Sequence, residues 1–309
     1  MKVRRLVMRR LVLMVPTFLG ITALTFAIAH LAPGDPLHLE SDLAAAASSQ
    51  VAAAPADSLI VQYGHWLAKM VRFDFGQSLV DHRDARDKIW EALPNTVLLA
   101  SLALLLAWLA AVPLGAFLAT TKRARTGSLV AASLSLASAV PSFWLAVLLL
   151  LVFANPRAFD WFPFQGLGSP AHVVLPVVCL TYPTLAFATR QVRAAMQTAL
   201  AQDFVKAARA RGIPESRVVW RHAFRNALLP LVTVLGLQLP HLISGSVVVE
   251  RVFGIPGMGS LAIESVGLRD YPVVMAISTL TAVATMVAML LVDVVYLAID
   301  PRLRGEVAQ

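Results

Sequence analysis

Six stretches of the chain, about 11–31, 97–120, 128–154, 173–189, 227–249 and 273–299, are apolar almost without interruption. Crossing the hydrocarbon of a bilayer takes roughly 20 apolar residues in a helix. The apolar residues come in blocks rather than in the spaced stripes of water-facing helices. The pattern predicts an all-α, polytopic membrane helix bundle of about six transmembrane helices. Residues 1–96 read as a first transmembrane helix plus an extracytoplasmic loop, and 97–309 as a five-helix core carrying a cytoplasmic segment at 190–226.

Within loop 32–96, Leu59, Ile60, Tyr63, Trp66, Leu67, Met70 and Val71 recur at helical spacing. This predicts an amphipathic helix on the membrane surface or against the bundle, and both a packed lid and a partner-docking surface fit it. Pro33-Gly34-Asp35-Pro36 marks a turn, and the Ala/Ser-rich stretch 44–54 is expected to be poorly ordered. The N-terminal apolar run is longer than the roughly 7–15 residues of a signal peptide, so the first helix is expected to be retained. Pro16, Pro113, Pro141, Pro176, Pro183, Pro230 and Pro240 fall within the runs; each removes a backbone donor and frees a carbonyl that must be satisfied inside the bundle.

Composition agrees: of 309 residues, 58% are hydrophobic and 14% charged, against about 25% charged in soluble domains. The net charge of +8 is unevenly placed, and alternate sides of the six spans carry 18 and 8 basic residues. The positive-inside rule puts both termini in the cytoplasm. The single cysteine, Cys179, excludes an internal disulfide or a Cys-rich metal site.

The segment 190–226 is the most informative. Residues Ala201 to Arg211 read as a helix, Gly212 as its left-handed stop, and Pro214-Glu215 as the start of a second helix. Ala201, Ala207, Ala208 and Ala210 leave little bulk, while Lys206, Arg209, Arg211 and Arg217 supply cations. A protein socket and a basic helix on anionic lipid headgroups both fit. A DNA-reading role does not, because the segment has no core of its own and is tethered to membrane at both ends; no nucleic-acid partner is expected.

In the fifth run, Gln238, His241 and Gly245 share one helix face at i, i+3 and i+7. Polar groups at that depth need a water-lined path or partner helices, so these residues are candidates for a translocation path and equally for packing. Asp293, near the inner end of the last run, reads as a structural partner more than as a proton or substrate group.

The chain resembles the inner-membrane permease subunits of dipeptide and oligopeptide ABC importers, a group that includes nickel permeases. The likeness rests on Arg9-Arg10-Leu11 with Pro16-Thr17, Leu31 to Pro36, Phe73-Asp74-Phe75-Gly76-Gln77-Ser78, Leu93-Pro94-Asn95-Thr96, Pro141-Ser142-Phe143, Ala207 to Gly212, Arg221-His222-Ala223 with Leu228-Leu229-Pro230, Gly245 to Gly259, Asp293 and Asp300-Pro301. The resemblance implies a type I importer permease fold in a bacterial inner membrane. It implies uptake of di- or oligopeptides, with nickel or another small solute as alternative cargo. It also implies two ATP-binding subunits that hold ATP and magnesium, a second homologous permease chain and an extracytoplasmic substrate-binding protein. ATPase coupling would fall on Lys206, Ala207, Ala208, Arg211 and Gly212: Ala207, Ala208 and Gly212 match the family's Glu-Ala-Ala, three residues, Gly pattern, with Lys206 where the Glu is usual.

No phosphate-binding Gly-x-x-x-x-Gly-Lys-Ser/Thr loop occurs, and no lysine follows a glycine anywhere. The chain is therefore expected to be no enzyme, with no cofactor, metal or catalytic residues of its own. A serine hydrolase on Ser244 or Ser246 with His222 or His241 lacks any supporting pattern. A stand-alone secondary transporter is the competing class within transport.

Overall fold

The computed structural model describes residues 2–31, 58–121, 124–238 and 247–299, and every regular element among them is helical. In chain order these are α1 (Lys2–Leu31), α2 (Leu59–Val71), α3 (Ala85–Thr120), α4 (Ala124–Ala139), α5 (Ser142–Phe153), α6 (Ala171–Leu200), α7 (Asp203–Ala210) and α8 (Glu215–Arg217). A π-helical turn over Val218–Ala223 leads into α9 (Phe224–Gln238), followed by α10 (Val247–Val252), α11 (Met258–Gly267) and α12 (Tyr271–Ile299). Helices α1, α3, α6 and α12 each contain a segment long and apolar enough to cross a membrane.

One of the other two apolar runs is interrupted rather than continuous. The run at 128–154 divides into α4 and α5 around Pro141, which is extended at φ −60° and ψ 137°. Proline has no N–H for the helix ladder and disfavours helical geometry in the residue before it, so α4 ends there and α5 restarts. In the fifth run the described residues carry α9 as far as Gln238 and α10 from Val247; Pro240, like the Ala/Ser-rich stretch 44–54, lies outside the described residues. Two other boundaries also move. Helix α3 starts at Ala85, with Asp87 in its first turn where a carboxylate favours the exposed N–H groups. Helix α6 runs on to Leu200, so the opening part of 190–226 continues a membrane helix.

The axis of the bundle is the contact between α3 and α6. Thr96, Leu99, Ala103, Ala107, Ala111 and Gly115 recur near every fourth residue of α3, and all are buried. Such a small-residue stripe lets helix backbones approach where lipid gives no hydrophobic drive. The approach is closest at Gly115, where a Cβ would stand 2.6 Å from Val192 Cβ and 3.0 Å from the Arg193 amide nitrogen. At Gly236 of α9 the space is taken by the Val292 side chain of α12.

The amphipathic helix α2 packs as a lid on α1. The Tyr63 hydroxyl lies 2.8 Å from Thr22 Oγ1, and the Phe26 ring meets Tyr63 edge-on and Trp66 at a tilt, with centroids 5.4 and 5.8 Å away. Helix α1 lies along α12, pinned by the Arg10–Asp293 ion pair at 2.9 Å. Asp293 thus has the structural partner the sequence suggested.

Two glycines test whether the α3–α6 approach carries stability. Alanine is the better helix former by about 1 kcal/mol, so Gly20→Ala on α1, with nothing within 4 Å of the new Cβ, should hold or raise the thermal midpoint of the solubilised protein. Gly115→Ala should lower it by the equivalent of about 1–3 kcal/mol. Equal midpoints for the two variants would refute the tight contact.

Candidate functional site

After α6 the chain turns at Ala201 and Gln202 and enters α7, whose end is closed by a Schellman turn. The Ile213 N–H donates to the Ala208 carbonyl at 3.3 Å and the Gly212 N–H to the Arg209 carbonyl at 2.9 Å. Gly212 has φ +73°, a left-handed conformation that favours glycine. The Arg209 guanidinium then forks onto Glu215 across the turn at 2.6 and 3.1 Å, bridging α7 to α8. A bidentate pair of this kind fixes orientation as well as adding attraction. The second helix is not confined to the loop: α8 passes through the π turn directly into α9.

Helix α7 has two faces. Val205 and Ala208 are buried in one cluster with Ala116 of α3, Val192, Met196 and Ala199 of α6, and Val218, Val219 and Ala223 of the π turn. Lys206, Ala207, Arg211 and Gly212 are exposed. Of the five residues expected to contact a partner, four are therefore presented outward, whereas Ala208, 5% exposed, faces the chain's own core. At helical spacing Ala208 follows Val205 by three residues, which puts it on the apolar side. Lys206 is paired with Asp203 at 2.8 Å in a fully exposed setting, which contributes little to stability.

The polar face expected in the fifth run is only partly placed. Gln238 accepts a hydrogen bond from the Trp108 indole N–H of α3 at 2.9 Å; His241 and Gly245 lie outside the described residues. Trp108 thus supplies a partner-helix contact for this amide.

The structure also builds a site that sequence reasoning missed. Glu250 is 2% exposed. Its carboxylate accepts the Thr96 hydroxyl at 2.8 Å and the Ser260 N–H at 3.0 Å. Thr96 Oγ1 in turn accepts the Met258 N–H at 2.8 Å, and the Asn95 amide donates to the Pro256 carbonyl at 2.8 Å. A Cβ on Gly257 would lie 2.5 Å from the Glu250 carboxyl carbon and 2.6 Å from Thr96 Oγ1, so only glycine admits this packing. Leu93 to Thr96 and the described part of the Gly245 to Gly259 run, from Val247 on, noted separately in the sequence, are thus joined in one clamp. The signal was a glutamate set at the end of a Val-Val-Val run before a glycine-rich loop; nothing in the sequence paired it with Thr96, 154 positions away.

A second lock sits nearby. Buried Asp270 accepts the Ser78 hydroxyl at 2.5 Å and the Leu79 N–H at 3.1 Å, with Lys88 Nζ 3.7 Å away. It ties the Phe73 to Ser78 motif to the start of α12. Beside it, partial burial opposes ionisation of Asp81, but Ser78, Lys88 and the Arg83 backbone outweigh that and hold its carboxyl at about 2. Among the described residues no group of three or more His, Cys, Asp or Glu side chains could hold a metal.

Residues 111–305 match the family of binding-protein-dependent transport system inner membrane components. Over nearly its whole length the chain is also similar to characterised relatives. It is 36% identical to the oligopeptide transport system permease protein AppB of Bacillus subtilis (strain 168), covering 96% of this chain and 98% of that protein. It is 35% identical to the dipeptide transport system permease protein DppB of the same organism, over 97% and 98%. Identity to the glutathione transport system permease protein GsiC of Escherichia coli (strain K12) is 34%, over 96% and 98%.

The clamp yields a graded expectation. Glu250→Ala strands the Thr96 hydroxyl and the Ser260 N–H and should cost about 2–4 kcal/mol, read as a fall in the thermal midpoint. Glu250→Gln keeps shape and one acceptor and should cost less. If both variants melt with the parent, the clamp carries no stability.

Proposed function

Because the chain belongs to the binding-protein-dependent transport system inner membrane components, the permease subunits of ABC importers, we propose that it builds one half of a peptide-uptake pathway powered by separate ATP-binding subunits docked on α7. The observation that carries this is the mounting of α7. A short helix, closed at Gly212 and seated in the same apolar cluster as α3, α6 and the π turn, presents Lys206, Ala207, Arg211 and Gly212 to the outside. A protein that grips this face and moves it must move the ends of the membrane helices with it, since packed interiors transmit displacement rather than absorb it. Two ATP-binding subunits hold ATP and magnesium, a homologous permease chain completes the pathway, and a substrate-binding protein delivers cargo from the opposite side. The α7 end is cytoplasmic, as are both termini, because that side carries 18 of the 26 basic residues.

The cargo is a di- or oligopeptide. The supporting relatives are named for oligopeptide, dipeptide and glutathione transport, and these substrates share amide groups between charged ends. With the complex in proteoliposomes, labelled dipeptide should accumulate only with ATP and binding protein; ATP-driven uptake of nickel ions without peptide uptake would overturn the assignment.

Helix α7 is tested by two neighbouring substitutions with opposite expectations. Ala207→Asp lies on the exposed face and should change folding by no more than about 0.5 kcal/mol, yet it should abolish ATP-driven uptake by disrupting subunit docking. Ala208→Asp buries an unpaired carboxylate and should cost about 3–5 kcal/mol, lowering the amount of folded chain. Normal transport by Ala207→Asp would remove α7 from the docking role.

Orientation is checked with single cysteines at exposed positions. An impermeant thiol reagent applied to intact cells should label cysteines replacing Gln77 and Arg269 and spare one replacing Arg217. The reverse pattern would invert the topology.

A further inference from the structure

Helices α1 and α12 meet at the Arg10–Asp293 pair, yet part of their length is held apart by a groove of about 530 Å³. Its lining runs from Arg10 to Ile21 on α1 and from Ser278 to Asp293 on α12. At 1.5 Å per residue these lengths are about 16 and 22 Å, comparable to one leaflet of a hydrocarbon core roughly 30 Å thick. Only one end is charged. Farther along, Met14, Ile21, Ala282 and Met286 line it, and Thr17 and Thr285 turn their hydroxyls back onto the Leu13 and Thr281 carbonyls. Ser278 and Thr281 add two further hydroxyls from α12, and the rest of the lining is apolar and, with its methionines, adaptable in shape.

The charged end has cationic capacity to spare. Arg10 uses Nε and one Nη for Asp293, at 2.9 and 3.2 Å, out of the five N–H donors of a guanidinium. No other described contact draws on it, and its side chain is 52% exposed. Lys2, Arg4, Arg5 and Arg9 precede it on the same helix, and no acidic residue occurs before Asp35. The Arg10 guanidinium at the end of an apolar interhelical groove, on a helix whose N-terminal sequence is basic, matches the two parts of an anionic phospholipid: phosphate at the cation, acyl chain along the groove.

We propose that the α1–α12 groove is a binding site for an anionic phospholipid of the leaflet facing the basic N-terminal turns. The lipid fills the gap between the first and last helices and neutralises the basic excess around Arg10. This rests on membrane embedding and not on the nature of the cargo.

The test places the assembled importer in phosphatidylcholine nanodiscs with a minor fraction of phosphatidylglycerol and quantifies the lipids that stay with the isolated complex. Phosphatidylglycerol should be enriched at least about fivefold over its bulk ratio, the factor equivalent to about 1 kcal/mol for one arginine at an anionic headgroup. Arg10→Gln combined with Asp293→Asn removes both charges and should abolish the enrichment. Ala282→Phe fills the groove without touching the charges and should reduce retained lipid of either kind, which keeps the test decisive if the double variant fails to assemble. No enrichment in the parent, or parental retention in Ala282→Phe, overturns the proposal. So does a photoreactive side chain at Thr285 that captures a protein subunit instead of lipid, which would assign the groove to a helix interface.

Discussion

The close approach of α3 and α6 sets the geometry of everything else. Ala103, Ala107, Ala111 and Gly115 strip one face of α3 nearly to its backbone, and Val192 seats against the glycine. The contact is long, and α3 extends along it from one side of the bundle to the other. Thr96 and Ala116 are separated by about 30 Å at 1.5 Å per residue, about the thickness of the hydrocarbon. At one end Thr96 holds Glu250; at the other Ala116 lies in the cluster that seats Val205 and Ala208 of α7. Helix α3 thus runs from the cluster that seats α7 to the Glu250 clamp.

The second constraint is that polar groups among membrane helices need partners. Arg10 meets Asp293, Trp108 meets Gln238, Thr96 meets Glu250 and Ser78 meets Asp270. Each pair joins segments more than a hundred residues apart, so satisfying polar groups and specifying tertiary structure are here the same event. The exceptions among the described residues include the hydroxyls of Thr189 and Thr279, buried without a partner; nothing in the structure explains them. The clamp and the α7 turn share a further trait. Each depends on one glycine for a different reason, Gly257 for room beside a carboxyl and Gly212 for a left-handed backbone.

By itself the sequence determined the helical class, the membrane setting, the approximate spans, the amphipathic α2 and the stop-and-restart at Gly212 and Pro214. These follow from local chemistry: hydrophobic length, the spacing of apolar residues, and the backbone limits of glycine and proline. It also carried the family motifs, but as separate words. Which motif touches which was decided by tertiary structure, because side-chain pairing over 154 or 192 positions leaves no trace in local periodicity. The same holds for the break at Pro141: Pro94, Pro113 and Pro176 stand inside unbroken helices, so proline alone does not say where a helix ends. Ala207 and Ala208 are identical as residues and adjacent in the chain. Only the packing of α7 on α3 and α6 turns one outward and the other into the core, since a step of about 100° around a helix acquires a direction only when something solid lies on one side of it.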